Sequence, residues 1–381
     1  MKRRLIVVTL LIFSLGLLYA QNKVNRPINI SLWNPVSTAP YDSLCITNAT
    51  LGFCSKTSVL NGVGVNVCGH FNEKGVNGLT VNGMGEFVKG NMNGLEISGF
   101  FNVVSGHMHG FQIAVVQNTN VLHAKGVMLS GITNFTIGRA GGIQLAGLTN
   151  IAGSHFSGLQ TTLGINIASS SSDLFQIAGL VNVCAEPING IQIGPGNYAG
   201  GIKGMQLGLL NICGGEVRGV QVGIVNHSND TSTVKIGLVN INPRTRIQVM
   251  AFGGNINRNN LVIRFKSRYT YTILGVGTHY LGLDNKFSGS VNYRVGAGLT
   301  LMKGLYVGAD AGFSHIRNFE DENQSDYPRR LYSLQLRMNL EYHPISKFGV
   351  FASGGYAHTR YYSSKGTYEK KPIVEFGIVL F

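Results

Sequence analysis

One phrase is repeated in GGIQLAGLTNI (141–151), GMQLGLLNI (204–212) and GVQVGIVNH (219–227). Each copy runs Gly, aliphatic, Gln, aliphatic, a small residue and, after a short interval, Asn. This Asn returns every 14 to 16 residues. Its ten positions are Asn102, Asn118, Asn134, Asn150, Asn166, Asn182, Asn197, Asn211, Asn226 and Asn240. A period this constant indicates that each repeat is one structural unit.

The pattern inside a repeat is that of β-strands. Leu95 and Ile97, like Val220 and Val222, alternate with smaller or polar residues, and a period of two is typical of strands. A 16-residue unit fits one coil of a β-solenoid, with a main strand, a corner and a shorter strand. The opening Gly, which recurs every 16 residues over 78–158, suits corners with positive φ. Stacked coils would place successive Asn about 4.8 Å apart, in a ladder that stabilises the corners.

A large antiparallel barrel is the alternative interpretation of the same period. Units of about 15 residues could each cross a membrane once, and the whole chain would then form a pore. That fold needs two kinds of turn, one for each side of the membrane. The repeats instead show turns of one kind, as in VSGHMHG (104–110), AGSHFSG (152–158) and GGEVRG (214–219). The sequence therefore favours the solenoid.

The chain begins MKRRLIVVTLLIFSLGLLYAQ, which is typical of a secretory signal peptide. Lys2, Arg3 and Arg4 form a basic start, residues 5–18 are apolar, and Ala20 ends a small-residue cleavage site. An uncleaved membrane anchor is the alternative, although the apolar run is short for a membrane span. We therefore expect the protein to be exported.

The rest of the chain divides by composition. Near Pro243 the repeat phrase stops, and 12 of the 15 Tyr lie beyond this point. The predicted segments are a signal peptide at 1–20, a lead-in that caps the first coil at 21–60, the Gly/Asn-repeat solenoid at 61–243 and an antiparallel β domain at 244–381.

Longer alternating runs mark this last segment. In FSGSVNYRVGAGLTL (287–301) and YSLQLRMNLEY (332–342), apolar residues share one face and polar residues the other. Such alternation is typical of strands that cross an outer membrane, and the run 332–342 also has an aromatic residue at both ends. The segment therefore predicts an eight-stranded outer-membrane barrel, with a soluble β-sandwich or a solenoid cap as the alternative. The predicted strands are 246–254, 260–266, 269–280, 287–301, 304–318, 331–343, 347–361 and 371–381.

The connections of the predicted barrel alternate in length. Residues 266–268, 302–304 and 343–346 form tight turns, whereas 319–330 and 362–371 are long and polar. An even number of strands puts both ends of a barrel on one side of the membrane, ordinarily the periplasmic side. We therefore expect the repeats in the periplasm and the long loops outside.

The net charge of +14 is unevenly distributed. Residues 21–243 hold 10 basic and 8 acidic residues, whereas residues 244–381 hold 18 and 9. The nearly neutral repeats carry no basic stripe, which argues against a nucleic-acid partner. The positive second half suits lipid headgroups or polysaccharide. The expected partners are therefore outer-membrane lipid, surface polysaccharide and other envelope proteins.

The five cysteines predict little cross-linking. An odd number leaves at least one unpaired in an exported protein, and Cys45 with Cys54 is the one pair considered as a disulfide. Cys184 and Cys213 each follow a repeat Asn by two residues. One coil between them would separate them by about 9.6 Å, beyond the reach of a disulfide. We expect these two to be buried.

No catalytic or metal-binding set is recognisable in the repeats. The acidic residues between 78 and 242 are scattered, and no two stand at a catalytic spacing in sequence. His107 and His109 flank a turn residue without a third ligand nearby, so no metal site is expected. The acidic run at 320–326 favours a solvated loop over a cation site. We therefore expect no enzyme, no catalytic residues and no cofactor.

The repeats resemble a known group of proteins. GMQLGLLNICGGEVRGVQVGIVN (204–226), KIGLVNINPRTRIQVMAFGGN (235–255) and the lead-in SLWNPVSTAPYDS (31–43) are similar to surface-repeat proteins of Gram-negative bacteria. The resemblance covers residues 28–280 and implies an exported surface or outer-membrane protein with no assigned activity. That surface role conflicts with the periplasmic repeats expected from the strand count.

The sequence as a whole predicts a non-enzymatic exported envelope protein, structural or adhesive, in the outer membrane or at the cell surface. Two other classes stay open as alternatives. One is a pore formed by the whole chain, and the other is a β-helix enzyme that acts on polysaccharide.

Overall fold

The computed structural model describes residues 23–33, 36–38, 44–230, 234–279, 288–319, 330–362 and 366–381. The chain forms two compact units, which meet between Val183 and Cys184. All regular structure in the described residues is β. Among these residues, no helix has the length and apolar character that a membrane span requires.

The first unit is built from short strands that pair in parallel. In β6 (Asn91–Ser98), Gly94 lies opposite Gly78 on one side and Gly110 on the other. Equivalent residues of successive repeats are thus neighbours, as a solenoid requires. Its strands are β1 (Lys23–Asn25), β2 (Ile28–Trp33), β3 (Val36–Ser37), β4 (Leu44–Asn82), β5 (Gly85–Val88), β6 (Asn91–Ser98), β7 (Phe101–Val104), β8 (Met108–Ala114), β9 (Gln117–Asn120), β10 (Ala124–Ser130), β11 (Thr133–Thr136), β12 (Ala140–Ala146), β13 (Thr149–Thr162) and β14 (Ile165–Ala178), and β15 (Val181–Ile193) crosses the boundary between the units.

The column of corner glycines explains the period. Gly94 has a φ of 137°, a conformation that residues with a Cβ rarely adopt. A Cβ at this position would also lie 1.9 Å from the carbonyl oxygen of Gly78 in the preceding coil. Gly110 and Gly126 meet the same restriction, with 2.0 Å and 1.9 Å to the preceding Gly carbonyl. Only Gly therefore allows the coils to stack at this corner.

Parallel pairing begins earlier than residue 61. β1 pairs in parallel with β4 at Lys23 and Leu44, and β2 does so at Ile28 and Ala49. Much of the lead-in therefore pairs in the same way as the repeats. Among its described strands, β3 departs from the pattern, because it pairs with β2 in antiparallel fashion.

The second unit begins with further coils and ends in a closed barrel. The coil strands are β16 (Gly196–Leu207), β17 (Leu210–Cys213), β18 (Val217–Val222), β19 (Val225–Ser228), β20 (Val234–Ile236) and β21 (Val239–Ile241). The barrel strands are β22 (Arg246–Gly254), β23 (Asn257–Lys266), β24 (Thr270–His279), β25 (Ser288–Met302), β26 (Leu305–Asn318), β27 (Arg330–Ile345), β28 (Phe348–Tyr361) and β29 (Thr367–Leu380). Each barrel strand pairs with the next in antiparallel fashion, and β29 closes on β22.

The predicted fold class is confirmed: the protein is all-β, with a β-solenoid followed by an eight-stranded antiparallel barrel. The whole-chain antiparallel barrel is wrong, because the repeats pair in parallel. The β-sandwich alternative is wrong for residues 246–380, because that sheet closes on itself. The connection predicted at 362–371 is shorter than expected, since β29 already begins at Thr367. Residues 320–329, most of the other long connection, lie outside the described part of the chain.

Candidate functional site

The ten Asn of the repeat phrase form buried ladders inside the coils. Each is at most 5% exposed. The Nδ2 of Asn134 donates to the Oδ1 of Asn150 at 3.0 Å and to the carbonyl of Leu145 at 2.8 Å. Its own Oδ1 accepts from Asn118 at 2.9 Å. The same Asn–Asn bond joins 102 to 118, 118 to 134, 150 to 166 and 166 to 182 in the first unit, and 197 to 211, 211 to 226 and 226 to 240 in the second.

Each ladder bond connects two parts of the fold at once. Asn150 lies near the start of β13, and its Nδ2 reaches the carbonyl of Thr161, near the end of the same strand, at 2.8 Å. The same amide joins Asn166 one coil further on at 2.9 Å. A buried amide is costly to leave unpaired. The arrangement therefore satisfies the amide of Asn150 and at the same time joins the two ends of β13 and two successive coils.

A second ladder is made of Gln and was not predicted. The Nε2 of Gln160 donates to the Oε1 of Gln144 at 2.8 Å, and Gln176 donates to Gln160 at the same distance. Gln206 and Gln221 continue the pattern in the second unit. All are buried. The signal was present in the sequence, because Gln recurs two residues after the corner Gly.

An acidic cluster occupies the same interior near the start of the repeats. Glu96 stands at a Gln position, and its Oε2 accepts from the Nε2 of Gln112 at 2.8 Å. Glu86 accepts from the Nδ2 of Asn82 at 3.0 Å and contacts the Nδ1 of His70 at 2.9 Å. Glu86 and Glu96 act on each other although they lie on different strands, because inward positions of those strands converge on one interior. The two Glu are fully buried and His70 is 2% exposed, so they line no surface that a substrate could reach.

Burial raises the pKa of Glu96 well above its usual 4.5, and the negative charge of Glu86 raises it further. The hydrogen bond from Gln112 acts in the opposite direction. A carboxyl in such surroundings favours its neutral form. The buried carboxyl of Glu96 therefore stays protonated to a higher pH than an exposed Glu.

The residues considered for metal binding do not assemble a site in the described chain. The rings of His107 and His123 are tilted by 36° with centroids 4.9 Å apart, and His109 is exposed. Across the residues that the structure describes, no group of three His, Cys, Asp or Glu side chains could hold a metal ion. The acidic run at 320–326 lies outside those residues.

All five cysteines lie in the described residues as free thiols, so the Cys45–Cys54 bridge is not formed. Instead, the thiols of Cys54 and Cys68 form a hydrogen bond, which raises the pKa of Cys68. Cys184 and Cys213 are fully buried, as predicted. Burial raises the pKa of Cys184 to about 11, so it behaves as a small apolar side chain.

The barrel has an apolar outer wall. Its interior holds buried polar and charged side chains beside an apolar cluster, which consists of Met250, Phe252, Val262, Tyr271, Ile273, Tyr306, Phe351 and Val379. In β27, Leu334, Leu336 and Met338 face outward and are 50%, 66% and 69% exposed, whereas Gln335 and Arg337 face inward and are at most 4% exposed. The exposed residues of the other strands follow the same rule, among them Leu261, Ile263, Val276, Val291, Leu299, Val350, Val374, Phe376 and Ile378. This distribution is the reverse of that in a water-soluble barrel.

Ion pairs connect distant strands across the barrel interior. Glu375 binds Arg294 at 3.1 Å and Arg337 at 3.0 Å. A second pair joins the Nη2 of Arg264 to the Oε1 of Glu341 at 2.8 Å. All five side chains are at most 3% exposed. An eight-stranded barrel is only wide enough for side chains to fill, and these groups occupy that space.

The sequence places Arg294, Arg337 and Glu341 on the polar face of their strands but does not predict their partners. For Arg264 and Glu375 the sequence pattern predicts no role. The partners are separated by 38 to 81 residues, and nothing local in the sequence marks such pairs.

No family model and no curated protein matches the chain. Among solved structures, it is similar to the crystal structure of Neisserial surface protein A. The likeness has 9% sequence identity and a TM-score of 0.25, and it covers 35% of this chain and 93% of that chain. At this TM-score it adds nothing to what the strand pairing itself shows.

Proposed function

We propose that this protein is an exported, non-enzymatic component of a Gram-negative envelope, held in the outer membrane by its C-terminal barrel. The repeats would serve as a structural or adhesive element. The observation that carries the proposal is the barrel, in which an apolar outer wall surrounds an interior of paired charges. A membrane supplies the apolar surroundings that this wall requires.

Water and lipid favour different protein surfaces. Water-soluble monomers rarely expose an apolar patch larger than a few hundred Å², whereas here apolar side chains cover the wall of the barrel. In lipid, all backbone groups must be hydrogen-bonded within the protein, and a closed barrel achieves this because it has no edge. Aromatic residues at the ends of β27, Tyr332 and Tyr342, suit the two interfaces of a bilayer.

The outer surface of the repeats supports a role in contact with another envelope component. Inward Gln positions are flanked by outward aliphatic or aromatic residues, of which Phe111, Ile143 and Phe175 are 52%, 37% and 49% exposed. The same position in each coil repeats this choice, so the apolar residues form a column along the sheet. Such a surface fits an apolar partner better than a polysaccharide, and we propose another envelope protein as that partner.

Labelling of intact cells tests both the location and the orientation. All five Cys are replaced by Ala, and one new Cys is introduced by Ser325→Cys in the long barrel loop or by Ser154→Cys in the repeats. With a membrane-impermeant thiol reagent, we expect labelling at position 325 and none at 154. Labelling at 154 would place the repeats outside, and a protein recovered only in the soluble fraction would contradict the membrane proposal.

Conductance provides a second test. Because Arg294, Arg337 and Glu375 are paired inside the barrel, the refolded protein should add no stepwise current to a planar bilayer. Regular current steps would show that the interior opens, and the pore function would then replace the structural one.

A further inference from the structure

The tight-turn end of the barrel holds a pocket with an unusual concentration of positive charge. Its volume is about 880 Å³. It is formed where β22 begins and where the turns after β23, β25 and β27 meet. Five cationic side chains line it: Arg244, Arg246, Lys266, Arg268 and Lys303. His343 adds an imidazole, and no Asp or Glu is among the lining residues.

The nearest acid is already engaged. Glu341 binds Arg264 at 2.8 Å, contacts Lys266 at 3.5 Å and also pairs with His343. Of the five cations, Lys266 alone has a carboxylate partner within the described residues. Its ammonium also lies 3.3 Å from the centre of the Tyr306 ring, which forms part of the pocket.

The other four cations therefore repel one another around a concave surface. Arg244, Arg246, Arg268 and Lys303 are all exposed, so a ligand can reach them. A polyanion in the pocket would relieve this repulsion. Arg presents a planar fork of donors that matches phosphate oxygens, and Lys adds a compact charge.

We infer that this pocket is a binding site for a phosphate-bearing anion. The opposite rim of the barrel offers a natural comparison, since Arg258 and Arg317 are also exposed there but do not line the pocket. Two sources could supply the ligand: the headgroup of a phospholipid or a water-soluble phosphate compound. Apolar residues beside the pocket, Tyr342 and Ile345, are 52% and 64% exposed and would contact the chains of a lipid.

The test uses the full chain refolded in a neutral detergent at low salt, where exposed charges are least screened. Inorganic pyrophosphate and a short-chain phosphatidic acid are titrated separately by calorimetry. The pocket variant carries Arg246→Gln and Lys303→Gln. The control variant, Arg258→Gln with Arg317→Gln, loses the same charge from the other rim. Circular dichroism confirms that each variant folds.

We expect at least one probe to bind, and the pocket variant to bind it roughly 10-fold or more weakly, since charge-assisted hydrogen bonds are lost. The control variant should stay within about twofold of the natural protein because its charges lie outside the pocket. Lys303→Arg, which keeps the charge, should bind like the natural protein.

The two probes separate the sources. Binding of pyrophosphate indicates a soluble ligand, and binding of phosphatidic acid alone indicates a lipid headgroup. Absence of binding by either probe overturns the inference. Equal weakening in the pocket and control variants also overturns it, because the effect would then reflect net charge alone. Neither result depends on where the protein resides in the cell.

Discussion

The interiors of the repeats and of the barrel are both polar, but they satisfy their polar groups in different ways. The repeats use neutral amides, each bonded to the same residue one coil away, as in Asn150 and Asn166 at 2.9 Å. The barrel uses charges that cross to distant strands, as in Arg294 and Glu375 at 3.1 Å. The difference follows from the pairing. Parallel coils stack identical residues, which favours groups that are both donor and acceptor. An antiparallel barrel brings unlike residues together and can match opposite charges.

From this comparison we predict that removal of one charged partner inside the barrel lowers the stability more than removal of one amide from a ladder in the repeats. Glu375→Gln would leave the buried Arg294 without its carboxylate partner, and Arg337 would keep only Asp310, whose Oδ1 lies 3.7 Å from its Nη1. We expect the free energy of unfolding to fall by about 3–5 kcal/mol. Urea unfolding of the refolded protein in detergent, followed by circular dichroism, measures the change.

The control lies on the same strand. Glu369 pairs with Lys371 at 3.4 Å, and both side chains are well exposed. Glu369→Gln should change the stability by less than about 1 kcal/mol. Similar losses in the two variants would mean that the buried pairs contribute no more than a surface pair.

A ladder Asn should matter less, because its neutral partners can find other bonds. Asn150→Leu would leave polar groups of Asn134 and Asn166 unpaired. We expect the free energy of unfolding to fall by roughly 1–3 kcal/mol, measured by the same urea titration. Asn93, which bonds Asn77 at 2.9 Å in an exposed ladder, provides the control, and Asn93→Leu should have an effect of a few tenths of a kcal/mol. A loss of only that size for Asn150→Leu would refute a stabilising role for the buried ladder.

The Gln ladder can be tested by completing it. Met128 interrupts the Gln column between Gln112 and Gln144, and Gln144 reaches its sulfur at 3.5 Å. Met128→Gln would replace this weak acceptor with an amide. It would also offer a donor to the Oδ1 of Asn120, which lacks a partner among the described residues. We expect a gain of about 1 kcal/mol in thermal or urea stability. A loss would show that the column has no room for the amide.

The smallest expected effect is confined to high pH. The pKa of Glu96 is raised in the fold by burial and by Glu86, so its contribution to stability is full below the usual 4.5 and is lost as the pH rises through the folded value. Glu96→Gln should therefore leave stability unchanged at pH 4 and raise it at pH 8. Urea titrations at both pH values measure this. Equal stability at pH 8 would mean that the folded protein accommodates the charged carboxylate.

The sequence predicts those features that recur at a fixed spacing along the chain. Asn102 to Asn240, the corner Gly and the eight alternating strands are all visible because position alone identifies them. The recurrence of Gln was visible too, but the alternation in sequence does not show which of the two faces of the strand points inward. In fact Gln160 faces inward, and Leu159 and Thr161 face outward.

Other features could not be found from local pattern. Glu86 and Glu96 are ten residues apart on two different strands, and only the path of the coil brings them together. The pairing of Arg264 with Glu341 spans 77 residues and depends on which strands face each other across the barrel. The charged pocket arises in the same way, because two turns and the start of β22 supply its cations.

The ladders also determine how the gene can change in length. Asn197 and Asn211 are separated by 14 residues and bond at 2.8 Å, much as Asn150 and Asn166 do across 16. Gln192 and Gln206 are likewise 14 residues apart and still paired. Coils that differ in length by two residues therefore keep the same ladder bonds. A duplication of one whole coil would replace one bond in each ladder by two equivalent bonds, so the solenoid could lengthen by a coil with its buried amides still paired.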